Sequence, residues 1–299
     1  MDYYNEIKEQ LINNEVYKNV KDYSKNRSDL ETYYNVGKLL VEAQGGETRA
    51  KYGDSLIKEY SKKLVVEVGK IYNERTLRRI RQFYILFGNW STVSTNLSWS
   101  HYVELLSINN INKINYYINA SIEHNLSVRE LREKIKKQEY ERLDNNTKQK
   151  LIEKQETGII DFTKNPIIIR NTYNYEKITE KTLKQLILED MSNFMKELGD
   201  GFSFIDDEYK IKIGDRYNYI DLLLFNIKYN CYVVVELKVT ELKKEHIGQI
   251  EVYMNYIDKH IKTINQDKTI GIIICKKDNH FVMEYCSDQR IYKTTYELV

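Results

Sequence analysis

Two acidic residues and a lysine stand where a β-hairpin would bring them together. Asp221 lies in the segment YIDLLLFNI, and Glu236 and Lys238 lie in the segment CYVVVELKV. About three residues join the two strand-like segments, a length that predicts an antiparallel hairpin. A turn centred near Lys228 sets Asp221 opposite Glu236, with Lys238 on the same face because side chains alternate along a strand.

Carboxylates placed among Val and Leu residues need a partner, since an unpaired buried charge is costly and neighbouring carboxylates repel. A divalent cation relieves both costs, and oxygen ligands favour Mg²⁺ or Mn²⁺. Such an ion polarises a phosphoryl oxygen and lowers the pKa of bound water. The arrangement predicts metal-assisted phosphodiester hydrolysis, in which Asp221 and Glu236 hold the metal and Lys238 steadies the attacking water or the developing negative charge.

A solvated strand face with a cross-strand ion pair would also place charged residues in a hairpin. The tripeptide Glu-x-Lys has little weight alone, because it begins at four positions, Glu6, Glu208, Glu236 and Glu241. The apolar setting and the opposed second carboxylate favour the catalytic interpretation.

The second half of the chain reads as mixed α/β. Apolar residues at helical spacing predict one helix over 183–198, which ends at Gly199. Strand-like segments then precede and follow a predicted helix at about 244–258; they are 209–213, 219–227, 231–239 and 269–275. The order helix, strand, strand, strand, helix, strand predicts a mixed sheet with helices. The stretch 144–181 is predicted to be a linker region, and the triplet Asp206-Asp207-Glu208 a solvated turn rather than a further metal site.

The first half reads as helical. One amphipathic helix carries Leu30 to Val41 and stops at the glycine pair Gly45-Gly46. Further helices are predicted to follow, at about 53–68, from Asn73 to Phe87, and at about 99–108, 111–124 and 127–143. Asn73 is suited to cap the helix that begins at Glu74.

Residues 62–81 concentrate positive charge, with seven basic side chains against two acidic ones. The pattern of helix, short turn and capped helix resembles a helix-turn-helix unit, whose second helix could enter a major groove. A solvated helix face that carries arginines is the alternative. The residues predicted to contact nucleic acid are Lys70, Arg75, Arg78, Arg79 and Arg81.

Length and composition exclude several classes of protein. The 299 residues suggest about two domains. No run approaches the ~20 apolar residues of a membrane span, and the start MDYYNEIKEQ predicts no secretory signal. Three scattered cysteines fit neither a disulfide framework nor a zinc cluster. We therefore expect a cytoplasmic protein, and a net charge of +2 requires any nucleic-acid argument to be local.

The chain resembles a known family in several blocks. The order αβββαβ, with Asp221 followed by Glu-Leu-Lys at 236–238, resembles the PD-(D/E)xK nuclease superfamily. The string IDLLLFN…CYVVVELKVTELKKEHIGQIEVYMNYID is similar to the C-terminal nuclease domain of the bacterial YhcG-type family. The blocks QGGETRAKYGDSLIKEYSKKL, NERTLRRIRQFY, LSWSHYVELL and SVRELREKI are similar to that family's N-terminal domain.

The resemblance implies a fold and a set of functional residues. It implies a helical, helix-turn-helix-like DNA-binding domain over 1–155 and a restriction-endonuclease-like αβββαβ domain over 156–299. Asp221 and Glu236 would bind Mg²⁺ or Mn²⁺, Lys238 would be the catalytic lysine, and Gln249 would position the water or the lysine. The further site residue expected is an acidic one on the first helix, Glu189 or, with less support, Glu180.

The implied function is that of a metal-dependent deoxyribonuclease, which hydrolyses DNA phosphodiester bonds. The implied protein can form a homodimer and does not associate with membranes. The alternative is a protein that binds nucleic acid, or recruits a partner in a DNA-processing or defence system, without cleaving.

Overall fold

The chain folds into two compact units, Met1–Tyr140 and Glu141–Val299. The structure, a computed structural model, describes residues 2–19, 25–46, 50–89 and 93–299. Residues 47–49, which belong to one of the family-like blocks, lie outside the described residues. Within the described part, no helix has the length and apolar character needed to cross a membrane.

The first unit is helical, as predicted. Its helices are α1 (Tyr3–Asn19), α2 (Lys25–Ala43), α3 (Ala50–Glu67), α4 (Glu74–Phe87), α5 (Trp99–Leu105), α6 (Ile111–Glu123) and α7 (Val128–Lys136). Its core holds side chains from the first four helices, including Leu11, Val36, Leu64, Leu77 and Ile80.

Helix α4 begins and packs as its sequence indicates. The Asn73 side chain accepts a hydrogen bond from the Thr76 amide at 3.1 Å, which caps the helix start. Gly37 of α2 meets this helix so closely that an added Cβ would lie 2.6 Å from the Ile80 carbonyl oxygen. The close contact holds α4 against α2, with its polar face outward.

The second unit is a six-stranded mixed sheet with helices. Its helices are α8 (Asn145–Glu153), α9 (Glu180–Glu189), α10 (Met191–Leu198), α11 (Lys244–His260) and α12 (His280–Glu284). Its strands are β1 (Ile167–Ile169), β2 (Phe202–Ile213), β3 (Arg216–Asn226), β4 (Cys231–Glu241), β5 (Ile270–Lys277) and β6 (Ile291–Leu298). The strand order is β1-β6-β5-β4-β3-β2, with the β2–β3–β4 part antiparallel and the rest parallel.

The predicted hairpin forms in the predicted register. Strands β3 and β4 pair from Leu222 opposite Val235 to Asn226 opposite Cys231, so the next position brings Asp221 level with Glu236. One core holds Val233, Val235 and Leu237 with α9 and α10, while another core holds residues of α11. The αβββαβ order is thus confirmed, extended by β1 and by β6, which the sequence reading missed.

Three local predictions were wrong. The helix predicted over 183–198 is two helices, because Asp190 interrupts the turn and caps α10 through the Asn193 amide at 3.4 Å. Helix α8 occupies part of the predicted linker, where Asp144 caps it. The acidic triplet at 206–208 is part of β2 rather than a turn, with a register shift beside it.

The division between the units falls earlier than the predicted boundary between residues 155 and 156. Helix α8 belongs to the second unit because its Lys150 forms an ion pair with the buried Asp161 at 2.9 Å. The Thr147 hydroxyl also donates to Asp161, at 3.1 Å. Side chains of α8 are therefore tied to the segment that leads into the sheet.

Helix α11 lies directly on the sheet at Gly271 of β5. A Cβ at this position would meet the Met254 sulfur at 2.6 Å and the Ile250 Cδ1 at 2.8 Å. The missing side chain leaves room for the Met254 and Ile250 side chains of α11 to pack against β5 at this point.

Candidate active site

The end of the β3–β4 pairing brings Asp221 and Glu236 together. Asp221 directly precedes Leu222, the first residue of β3 that pairs with β4, and its Oδ2 accepts a hydrogen bond from the Leu237 amide at 2.9 Å. That bond ties the Asp221 carboxylate to β4 at the residue after Glu236. The two carboxylates are close enough for the charge of Asp221 to raise the pKa of Glu236.

Glu236 is a buried acid with an unsatisfied oxygen. The residue is only 1% exposed, and its Oε1 has no hydrogen-bond partner among the described residues. Burial and then the Asp221 charge raise the pKa of Glu236 to about 8, against the opposing effects of Lys238 and an Asp221 backbone hydrogen bond. A buried carboxyl left half-bonded is costly to a fold, so the free Oε1 of Glu236 is suited to accept a cation or a hydrogen-bond donor.

Lys238 completes the cluster. Its Nζ donates to Glu236 Oε2 at 3.2 Å and lies 3.9 Å from Glu180 Oε2. Burial alone would lower the pKa of Lys238, but the carboxylates of Glu236, Glu180 and Asp221 outweigh it and raise that pKa. The lysine therefore stays an ammonium, which donates hydrogen bonds and cannot take up a proton.

Helix α11 lines the other side of this cluster. The Gln249 amide donates to the Tyr253 hydroxyl at 3.2 Å. Burial raises the pKa of Tyr253, the Gln249 hydrogen bond lowers it, and the charges of Glu236, Lys238 and Asp221 also act on it. Gln249 is thus bonded to a tyrosine that responds to the charges of the cluster.

His246 is also near the cluster, although no metal-ligand spacing in the sequence singles it out. Its pKa is lowered by burial and by the charges of Lys238 and Lys243. Its Nδ1 accepts a hydrogen bond from the Lys243 amide at 3.2 Å. Because its pKa is lowered, His246 in the first turn of α11 is a neutral imidazole near Lys238.

The acidic residue that α9 brings to the site is Glu180 rather than Glu189. Glu180 stands at the start of α9, beside Lys238. Glu189 stands at the opposite end of the helix, roughly 13 Å along its axis, where it accepts a hydrogen bond from Gln185 at 3.1 Å. The expectation for Glu189 overlooked where the helix begins.

A second ion pair flanks Asp221 on its other side. The buried Lys184, one turn after Glu180, lies 2.5 Å from Glu208 Oε1. Glu208 stands between the residues that pair with Leu222 and Ile220, so it is level with Asp221. Its pKa is lowered by the hydrogen bond and charge of Lys184.

The donor set suits a hard cation. In the described part of the chain, no three Asp, Glu, His or Cys side chains are grouped so as to hold a metal ion. Mg²⁺ is usually held by one or two carboxylates together with water and substrate phosphates. Asp221 and Glu236, with the unbonded Glu236 Oε1, meet that lower requirement.

The predicted nucleic-acid residues lie on or next to α4. Arg78 forms an ion pair with Glu74 one turn away, at 2.9 Å, and Arg81 donates to Gln44. Lys70 and Arg75 are exposed, while Arg79 is half-buried. Two of the five residues, Arg78 and Arg81, therefore have local partners. The exposed ones lie between the turn before α4 and the first part of that helix; they are Lys70, Arg75 and Arg78.

Two family models cover most of the chain. Residues 161–298 match the YhcG PDDEXK nuclease domain, and residues 7–142 match the DUF1016 N-terminal domain. The candidate nuclease YhcG of Escherichia coli (strain K12) is 29% identical over 283 residues, covering 82% of this chain and 76% of that protein.

Solved structures also match part of this chain. A repair endonuclease from Pyrococcus abyssi matches 42% of this chain and 49% of its own, at 19% identity and a TM-score of 0.30. A complex of EndoMS with double-stranded DNA matches 42% of this chain and 48% of its own, at 18% identity and a TM-score of 0.31. The chain thus spans about half the length of these two structures.

Proposed function

Residues 161–298 belong to the YhcG PDDEXK nuclease domain family and residues 7–142 to the DUF1016 N-terminal domain family, and from this premise we propose that the chain hydrolyses DNA phosphodiester bonds with the help of Mg²⁺ or Mn²⁺. The observation that carries the proposal is the half-bonded Glu236, buried beside Asp221 and Lys238. Buried side-chain oxygens are normally hydrogen-bonded, so the free Oε1 of Glu236 is available to a ligand.

The residues of this chain divide the work. Asp221 and Glu236 would hold the cation, which would supply positive charge to a phosphoryl oxygen and lower the pKa of its bound water. Lys238 stays protonated and donates to the attacking water or to the negative charge that develops on the phosphate. The Leu237 amide keeps the Asp221 carboxylate turned toward β4, and Gln249 fixes the Tyr253 hydroxyl at the edge of the pocket.

A cleavage assay tests the proposal. Purified protein is incubated with single-stranded, duplex and branched DNA and with RNA, in Mg²⁺, Mn²⁺ or EDTA. We expect the wild type to cleave DNA only with metal, and Glu236→Gln and Lys238→Ala to lose that cleavage. Glu189→Gln is the matched control, because it removes a carboxylate of the same unit far from Lys238.

The proposal fails if the wild type cleaves none of these nucleic acids with either metal, or if the two site variants cleave as the wild type does. Binding of DNA without cleavage would instead favour the non-cleaving alternative. Cleavage of RNA alone would keep the nuclease and overturn the DNA assignment.

The first unit is proposed to bind the DNA through the exposed side chains around the start of α4. The Arg75→Ala/Arg78→Ala variant should weaken DNA binding and lower the slope of log affinity against log salt by up to about 2. Arg129→Ala, an exposed arginine on α7, is the control for loss of charge alone. An unchanged slope in the double variant would favour the interpretation of α4 as a solvated face.

A dimer is proposed on duplex substrates, because the described residues hold one such centre and a duplex has two strands to cut. Analytical ultracentrifugation of the Glu236→Gln chain with a short duplex should show two chains per duplex. A single chain per duplex would contradict this.

A further inference from the structure

The β2–β3 hairpin continues beyond the sheet at the site. Pairing of β3 with β4 begins at Leu222, whereas pairing of β3 with β2 runs on to Arg216 opposite Ile213. Residues 209–220 therefore form a two-stranded ribbon that starts next to Asp221. At about 3.4 Å per residue, Tyr219 stands roughly 7 Å from Asp221 along the strand.

The two faces of the ribbon differ. Ile211 and Ile220 are 1% and 0% exposed and join the core formed with α11. On the other face Lys210 stands opposite Tyr219 and Lys212 opposite Tyr217. Directly opposed residues of an antiparallel pair project from the same face, so these four side chains form one patch, the tyrosine–lysine face.

The tyrosine–lysine face is open. Tyr217 and Tyr219 are 56% and 51% exposed, and Lys210 and Lys212 are exposed. The Lys210 Nζ lies 3.9 Å from the centre of the Tyr217 ring. Three basic side chains of the ribbon, Lys210, Lys212 and Arg216, stand against one acidic one, Asp215.

Protection of the sheet edge explains the lysines of the tyrosine–lysine face but not its tyrosines. Strand β2 is an edge strand, and lysines on edge strands oppose pairing with other chains. Two exposed aromatic rings have the opposite tendency, since they add apolar surface to that edge. Rings and cations together on one flat face are the combination that binds unpaired nucleic acid, by stacking on bases and pairing with phosphates.

We propose that the tyrosine–lysine face binds an unpaired DNA strand adjacent to the phosphodiester bond that is cut. This inference rests on the proposed function and adds a substrate class, DNA that is single-stranded next to the cleavage position. Tyr219 and Tyr217 stack on successive bases, while Lys210 and Lys212 contact the phosphates. Because Ile211 and Ile220 on the opposite face are buried, the part of the ribbon next to Asp221 presents a platform rather than a wedge for a duplex groove.

Binding to a chain that cannot cleave tests the proposal separately from catalysis. Fluorescence anisotropy is measured with the full-length Glu236→Gln chain, a labelled oligo(dT) of about 20 nucleotides, and a duplex of the same length. Tyr217→Thr/Tyr219→Thr removes both rings and keeps residues that favour strands. Tyr217→Phe/Tyr219→Phe keeps both rings. Phe281→Thr/Tyr285→Thr is the matched control, because both are exposed aromatic residues of the same unit.

We expect the threonine pair to raise the Kd for oligo(dT) at least about tenfold and the Kd for the duplex less than about threefold. The phenylalanine pair and the control pair should bind as the parent does. Lys210→Ala/Lys212→Ala should lower the salt slope for oligo(dT) by about 1.4.

The proposal is overturned if the threonine pair binds oligo(dT) within about twofold of its parent, or if it loses duplex binding to the same extent. An equal loss in the control pair also overturns it. Cleavage by the wild type with normal binding by the threonine pair removes this inference alone. Loss of oligo(dT) binding in a protein that never cleaves removes the nuclease function and keeps the docking surface.

Discussion

Two buried acid–base pairs in the second unit differ in how fully their oxygens are bonded. Glu197 pairs with Arg142: its Oε1 accepts from Arg142 Nη2 at 3.2 Å, and its Oε2 accepts from the Ile168 amide at 3.1 Å. Arg142 also donates to the Pro166 carbonyl at 2.8 Å. Glu236 receives Lys238 on one oxygen and leaves the other without a partner in the described residues.

The comparison contrasts a fully bonded pair with a half-bonded one at equal burial, since Glu197 is 2% exposed and Glu236 1%. A satisfied buried pair needs nothing further and serves to join segments of the chain. An unsatisfied one carries a desolvation cost that folding alone does not recover. Matched substitutions at the two acids should therefore have opposite consequences.

The largest expected effect is on catalysis at Glu236. Glu236→Gln should lower the rate of DNA cleavage at least about 1000-fold, because it removes the negative charge that is proposed to hold the cation. Glu197→Gln should keep its rate per folded molecule within about threefold, because it lies outside the pocket. Single-turnover cleavage with Mg²⁺ measures both. Similar losses at the two positions would remove the distinction.

The next largest effect is on the free energy of unfolding, and we expect it at the Glu197–Arg142 pair. Glu197→Gln should lower the free energy of unfolding by about 3 to 5 kcal/mol, because it leaves the buried Arg142 charge uncompensated. Urea denaturation followed by circular dichroism measures it. Glu236→Gln in EDTA should be at least as stable as the wild type at pH 8, so a destabilised Glu236→Gln would contradict the comparison.

The pH dependence of stability should also differ. The pKa of Glu236 is raised to about 8, so its contribution is fully present below the pKa of the unfolded chain, near 4.5, and is lost as pH rises through 8. In EDTA the wild type should lose up to about 4 kcal/mol between pH 5 and pH 9 relative to Glu236→Gln. Denaturant titrations at several pH values measure this difference. Glu197→Gln should keep the wild-type slope, and a wild type as flat as Glu236→Gln would contradict the raised pKa.

Metal addition should reverse that loss. At a Mg²⁺ concentration about 100 times its Kd, the wild type should gain about 2.7 kcal/mol of stability at pH 8. Thermal melts with and without Mg²⁺ measure the gain, which Glu197→Gln should share and Glu236→Gln should lack. A gain in the wild type and in both variants would point to a cation bound elsewhere.

The smallest effect concerns the neighbour of Lys238 on α9. Glu180→Gln should lower the cleavage rate by up to about fivefold, because a partly exposed ion pair contributes at most about 1 kcal/mol. Glu189→Gln should not change it. Initial-rate measurements with saturating Mg²⁺ decide between them, and a larger loss at Glu189 would restore the expectation made from the sequence.

The hairpin register was predictable from the sequence because a short connection leaves little freedom in pairing. Once the turn is centred near Lys228, each residue of β3 has one partner on β4, and Asp221 stands level with Glu236. The neighbours of Glu236 were predictable for the same reason, since period-two alternation fixes which side chains share a face.

The helix residues were harder to predict because their positions depend on where a helix begins. The apolar stripe of 183–198 continues across Asp190, so it gave no sign of the break that separates α9 from α10. Thr179 caps α9, and that cap places Glu180 rather than Glu189 beside Lys238. A threonine before an acidic residue was the available signal.

Strand β6 was missed because its sequence is mostly polar. In IYKTTYEL, only Ile291, Thr294 and Tyr296 are buried, and its pairing with β5 and β1 determines that they are. His246 was missed for a related reason. Its proximity to Lys238 comes from the packing of α11 on the sheet, which no short-range pattern encodes.

The seating of α11 on Gly271 links the backbone of β5 to a helix that carries two residues of the candidate site, Gln249 and Tyr253. One additional carbon there would lie 2.6 Å from the Met254 sulfur and 2.8 Å from the Ile250 Cδ1, so these side-chain ends of α11 would have to shift. Position 271 therefore constrains how α11 packs on the sheet without itself belonging to the site.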